Sequence, residues 1–163
     1  MSVRPTAAIL VAPGTNRDRD VALALNLAGA DSVVVSITDL ERDANVINTA
    51  QMIVIAGGFS FADALGSGHV FALELEMLLG DRLQQAVGDG RPIIGICNGF
   101  QTLVRMGLLS SGAGAMALDH NERGLFDCRW VTLQPSSEKC VWTQGIQDNI
   151  ECPIAHGEGR FTA

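Results

Sequence analysis

The sequence predicts a doubly wound, mainly parallel α/β sheet with helices on both faces and a small antiparallel section near the C-terminus. Three observations carry that prediction. A strand–turn–helix rhythm repeats four times, the connections are short, and the strands are apolar throughout rather than alternating. Of the 163 residues, 47% are hydrophobic and 18% charged, which suits one compact domain with a sizeable core.

The first strand is Thr6 to Val11, stopped by Ala12-Pro13-Gly14. Thr15 or Asn16 can cap the helix that follows, where Val21, Leu25 and Ala28 recur at helical spacing before Gly29. Ser32 to Ile37 holds Val33-Val34-Val35, a β-branched run too apolar for an edge strand and suited to a parallel strand covered on both faces. Residues 39–50 are polar and ambiguous, with room for a short helix. Gln51 to Ala56 is a third strand ending in Gly57-Gly58. A helical region runs from about Asp63 to Val87, with Val70, Leu73, Met77 and Leu78 marking its inner face and Gly80 a candidate break. Gly88-Asp89-Gly90 turns the chain into a fourth strand, Pro92 to Ile96, and Phe100, Leu103 and Val104 belong to a helix ending by Gly107. From about Gly112 the rhythm changes, and Phe126 to Leu133 and Ile150 to Ala155 read as antiparallel strands.

Right-handed crossovers put the carboxyl ends of the parallel strands along one edge, where such sheets carry their sites. The segments after strands three and four both fall there.

Composition excludes several functions. No apolar run approaches the ~20 residues of a membrane span. The N-terminus lacks the pattern of a secretory signal, and a net charge of −7 argues against a nucleic-acid surface. The four cysteines form no C-x-x-C pair and match no common zinc spacing, so free thiols in a reducing cytoplasm are expected, with no metal site. Cys128, Cys140 and Cys152 read as small apolar filler in strands.

Cys97 differs. In Gly95-Ile96-Cys97-Asn98-Gly99-Phe100-Gln101 it joins a buried strand directly to a helix, with glycines two before and two after it. Those glycines let the chain turn sharply without side-chain collision, as in the elbow that hydrolases build around serine. The turn places Cys97 at a helix N-terminus, whose partial positive charge favours thiolate, and aims the Asn98 N–H where an oxyanion would form. A buried structural cysteine at a strand end is the competing reading.

This motif resembles the nucleophile motif of class I glutamine amidotransferases, whose sheet is flavodoxin-like. With Asn-Gly-Phe-Gln after the cysteine, it is most similar to the glutaminase component of phosphoribosylformylglycinamidine synthase. Three further stretches are similar to that family in the same order. They are Pro13-Gly14-Thr15-Asn16-Arg17-Asp18, Gly57-Gly58-Phe59-Ser60-Phe61-Ala62-Asp63, and Pro153-Ile154-Ala155-His156-Gly157-Glu158-Gly159-Arg160-Phe161. The chain departs from the family at Phe61 and Ala62, where Tyr and Gly are common, and at Arg17, where cysteine is frequent.

The resemblance implies that Cys97 attacks the side-chain amide of L-glutamine to give a γ-glutamyl thioester and ammonia. It implies a second oxyanion donor in the Gly57-Gly58-Phe59 loop, at Gly58, beside that of Asn98. Gln101, one helical turn after Cys97, is expected to reach back and hold substrate; a solvent-facing helix glutamine is the plain alternative. Phe59 is expected either to wall the pocket or to fill the core. The resemblance further implies a synthase partner, with a small accessory protein in some systems. ATP and Mg would bind on that partner, and this chain would need no cofactor of its own.

A cysteine nucleophile needs a base. The family's base belongs to a C-terminal His-Pro-Glu motif, which residues 1–163 do not contain. The expectation is therefore a single domain, 1–163, lacking the family's C-terminal segment, with weak turnover by itself. His156 and Glu158, two residues apart in an extended segment, could imitate the base pair; the resemblance instead places them in a stretch lining the pocket or facing the partner. His69 and His120 sit in no motif. Three rival functions remain: a glutaminase serving another acceptor, a non-catalytic interaction module, and a cysteine sensor or hydrolase on the same sheet plan.

Overall fold

The computed structural model describes residues 4–109 and 116–162. Four parallel strands, β1 (Thr6–Val11), β2 (Asp31–Ser36), β3 (Met52–Ile55) and β4 (Ile93–Gly95), form one sheet in the order β2-β1-β3-β4. The chain steps outward from β1 to β2, then returns past β1 to lay down β3 and β4. The order therefore reverses between β1 and β3, the switch point at which such sheets open a crevice.

Alternate strand residues face opposite layers. Ala8, Leu10, Ile53 and Ile55 join one core with α2 (Ile37–Arg42), α3 (His69–Gly88) and α4 (Asn98–Arg105). Ala7, Ile9, Val54 and Ala56 join a smaller core with Val21 of α1 (Asp18–Leu27). Helices thus cover both faces, and the apolar, non-alternating strands follow from that double burial. A 3₁₀ turn, Ala44–Thr49, completes the polar stretch after α2.

Several details differ from the sequence reading. In β2, Val35 is buried but Val33 and Val34 are exposed, because β2 is the outer strand of the described sheet. Neither Thr15 nor Asn16 caps α1; Arg17 holds the cap position without a side-chain bond, and the Thr15 hydroxyl instead accepts from the Ala12 N–H. Helix α3 starts at His69 and passes through Gly80 unbroken. Its inner face is Phe71, Leu75, Leu79, Leu83 and Ala86, while Leu73 and Met77 are exposed. The first half of α3 carries apolar residues on every side, interrupted by Glu74 and Glu76, so spacing alone does not choose the face, and contact with the core does.

The described contacts divide into two compact units, the first reaching Ala117 and the second being Leu118–Thr162. In the second, β6 (Asp127–Leu133) and β7 (Ile150–His156) pair antiparallel, from Asp127 opposite His156 to Leu133 opposite Ile150. Two short strands, β5 (Ala117–Asp119) and β8 (Arg160–Thr162), form a further pair. The antiparallel section near the C-terminus is therefore present; the change of rhythm at Gly112 lies outside the described residues.

Candidate active site

Cys97 lies between β4 and α4, at φ 54° and ψ −113°, and its side chain is exposed. A non-glycine residue held there costs about 1–3 kcal/mol, which the surroundings must supply. They do so by close packing. A Cβ built on Gly95 would lie 2.4 Å from the Gly99 carbonyl oxygen, and one on Gly99 would lie 2.0 Å from the Ile55 oxygen. Neither glycine has a positive φ, so the pair serves close approach while the cysteine itself carries the left-handed turn. A structural cysteine at a strand end would be covered. This one is not.

The loop after β3 arrives alongside. A Cβ on Gly57 would sit 3.2 Å from the Cys97 Cβ and 2.9 Å from the Ile96 oxygen, so the two strand ends pack backbone to backbone. Gly58 has φ 142° and faces Thr15 in an isolated antiparallel bridge. The hydrogen bonds of that bridge run on either side of the pair: Phe59 N–H to the Gly14 oxygen at 3.1 Å, and Asn16 N–H to the Gly57 oxygen at 3.4 Å. The Gly58 N–H consequently points away from the bridge, and among the described residues it meets no acceptor. The N–H of Asn98, first residue of α4, is likewise uncommitted among the described residues, as first-turn helix donors are. An exposed thiol thus lies beside Gly57, and the residues next to these two, Gly58 and Asn98, each carry an uncommitted backbone N–H.

Phe59 is 60% exposed, which rules out its core reading. After it the chain does something the sequence does not announce: Phe61, Ala62, Asp63 and Leu65 all have φ between 50° and 63°. Each left-handed non-glycine residue costs about 1–2 kcal/mol. Phe61 N–H to the Pro13 oxygen at 2.6 Å and Ala62 N–H to the Phe59 oxygen at 2.9 Å help to hold the turn.

The Asn98 side chain is only 2% exposed, and its four hydrogen-bonding positions are all filled. Its Oδ1 accepts from the Ser60 N–H at 3.3 Å and the Ser60 hydroxyl at 2.5 Å. Its Nδ2 donates to Asp63 Oδ1 at 2.9 Å and to Gln101 Oε1 at 3.3 Å. Gln101 therefore turns back toward the elbow, half-buried, instead of lying in solvent. Ser60 and Asp63 sit inside the motif that starts at Gly57, yet nothing in their spacing assigns them a part.

In the second unit, His156 is half-buried against Asn121. The Asn121 Nδ2 donates to the Leu125 and His156 carbonyl oxygens at 2.9 and 2.8 Å, and its Oδ1 accepts from the Gly159 N–H at 3.1 Å. Asn121 Oδ1 can only accept, so His156 Nδ1, at 3.0 Å, must be the donor. In the neutral ring the proton is then on Nδ1, and Nε2 carries a lone pair. No sequence signal points to Asn121. Glu158 neighbours His156 in the turn before β8, half-buried and with a bonding partner of its own.

All four cysteines are free thiols. Cys140 is half-buried, and its pKa is lowered, chiefly by a hydrogen bond from the Thr143 side chain. Among the described residues no cluster of His, Cys, Asp and Glu is arranged to hold a metal ion, and no helix is long and apolar enough to cross a membrane. A hollow of about 140 Å³ between α3 and α4, lined by His69, Glu76 and Arg105, contains none of the candidate site residues.

Residues 4–163 match the CobB/CobQ-like glutamine amidotransferase domain. The chain belongs to that family. Among its relatives, the phosphoribosylformylglycinamidine synthase subunit PurQ of Treponema denticola is 44% identical over 98% of this chain and 64% of its own length. The PurQ subunit of Dehalococcoides mccartyi is 40% identical over 94% of this chain and 61% of its own length. The chain thus spans a little over three fifths of these curated relatives. Among solved structures, a chain of PurLQS from Thermotoga maritima superimposes with a TM-score of 0.82 at 35% identity, covering 98% of this amidotransferase chain and 70% of that one. A glutamine amidotransferase of Thermotoga maritima shares the fold, with a TM-score of 0.59 at 15% identity, over 98% of this chain and 63% of that one.

Proposed function

We propose that this amidotransferase chain is the glutaminase part of a phosphoribosylformylglycinamidine synthase, with Cys97 as its nucleophile. The observation that carries the proposal is an exposed thiol on a strained strand-to-helix turn packed against Gly57, with uncommitted backbone N–H groups on the adjoining Asn98 and Gly58. The PurQ relatives support the assignment to this synthase over another acceptor.

The Cys97 thiolate adds to the carboxamide carbon of L-glutamine, and the carbonyl electrons move onto oxygen. The N–H groups of Gly58 and Asn98 receive that oxyanion, each such donor being worth about 3–4 kcal/mol in comparable sites. Collapse expels the amide nitrogen, which takes a proton and leaves as ammonia, and a γ-glutamyl thioester remains. Water adds to the thioester, glutamate leaves, and the thiol returns. Gln101 holds the substrate, and Phe59, standing exposed beside the loop, walls the pocket. Ammonia passes to a synthase chain that binds ATP and Mg, in the cytoplasm. The thiol's proton passes to a general base, as a cysteine nucleophile requires.

The test is intact-mass analysis after exposure to a glutamine-mimicking electrophile such as acivicin. A single adduct is expected on the wild type and none on Cys97→Ala; no adduct on the wild type, or an equal one on the variant, overturns the reading.

A further inference from the structure

We propose that the Asn98 side chain is a positioning residue that fixes the distance between the Gly58 N–H and the Cys97 sulfur, with Ser60 as its hydrogen-bond donor. The inference rests on the glutaminase reading and goes beyond it, since that reading uses only the Asn98 backbone.

Asn98 stands next to the thiol in sequence, while Ser60 and Asp63 lie in the loop that begins at Gly57. One buried amide joins the two segments. Its Oδ1 takes two bonds from Ser60, and its Nδ2 reaches Asp63 within the left-handed run. The amide cannot flip, because the Ser60 N–H can only donate and therefore requires Oδ1 before it. The same Nδ2 holds Gln101. A run of left-handed non-glycine residues persists only where neighbours over-determine it. Asn98 ties that run to the helix carrying the thiol, so relaxation of the loop would draw the Gly58 donor away from the oxyanion position. Pro13 and Gly14 anchor the loop to the segment after β1, and Gly57 packs at the end of β4. Farther along, Arg105 and Thr102 of α4 meet the Ser67 and Gly68 carbonyl oxygens, beyond the left-handed run, whereas Asn98 reaches Ser60 and Asp63 within the loop.

The experiment compares two chemistries at Cys97 in the full protein with its synthase. Glutamine hydrolysis builds an oxyanion, whereas alkylation by iodoacetamide displaces iodide and builds none. Asn98→Ala should lower kcat for glutamine by about 10- to 100-fold, the scale of a sub-ångström to 1 Å misplacement. The iodoacetamide rate constant should stay within about 2-fold. Ser60→Ala, which keeps the Ser60 N–H bond, should cause a smaller loss in the same direction. The double variant should be no worse than Asn98→Ala, because both act through one contact. Should Asn98→Ala fail to fold, Ser60→Ala alone decides by the same split. Unchanged glutamine turnover, parallel loss of both chemistries, or additive losses would overturn the proposal. Absence of an acivicin adduct on the wild type would instead remove the glutaminase reading itself, so the two failures are distinguishable.

Discussion

The two compact units are stabilised by different physics. The first, to Ala117, contains every buried apolar side chain among the described residues, from Ala7 to Val104. The second, Leu118–Thr162, has no buried residue among those described. Its order comes from the β6–β7 ladder, the bonds around Asn121, and surface ion pairs such as Arg160 with Asp119. Removing apolar area from water is additive and deep, while a polar hub is local and depends on each member. The candidate nucleophile sits in the first kind of structure, where a strained turn can be held. The His156 turn sits in the second.

The sharpest break of this comparison is a pair of large-to-small substitutions. Leu75→Ala, in the centre of the first core, should destabilise by about 2–5 kcal/mol in urea unfolding monitored by circular dichroism. Trp130→Ala, at a position 68% exposed, should stay within about 0.5 kcal/mol. Equal losses would mean that the second unit has a core after all.

Next in size is the polar hub. Asn121→Ala removes two donor and two acceptor contacts and should cost about 1–2 kcal/mol, seen as faster hydrogen exchange in the turn between β7 and β8. In ¹⁵N spectra of the neutral ring, wild-type His156 should carry its proton on Nδ1, and the variant should lose that preference. An Nε2–H tautomer in the wild type contradicts the Asn121 bonding.

The smallest effects concern acid. Asp119 has a lowered pKa, mainly through the His120 N–H and then Arg160; Asp39 has one chiefly through the Ser36 hydroxyl, in the capping box of α2. A carboxyl depressed in the folded state adds stability above its unfolded pKa and loses it as pH falls through the folded value. Hydrogen exchange should therefore quicken at β5–β8 and at the start of α2 only below about pH 4. Because each carboxylate is exposed, the change should be slight in both units. A marked loss near pH 6 would contradict it.

Much of the first unit is legible in the sequence. Strand–helix order, Gly57-Gly58 and the Gly95–Gly99 elbow are written in local spacing and in residues whose meaning is local, and the structure places all of them on one edge of the sheet. The inner face of α3 is not legible in this way, because Leu73 and Met77 satisfy a helical period as well as Leu75 and Leu79 do. Nor is the exposure of Val33 and Val34, because apolar composition records what a strand can bury, whereas its place in the sheet decides what it does bury.

The amino-acid order by itself determined the parallel sheet and a cysteine set at a strand-to-helix turn, since both depend on neighbours a few positions apart. Only the folded chain decided that Asn98 grips Ser60, 38 residues earlier, and that Asn121 orients His156, 35 residues later. Short polar side chains have no periodicity to betray their partners. Their bonds exist only once a packed backbone has brought distant donors and acceptors within about 3 Å and excluded the water that would otherwise satisfy them.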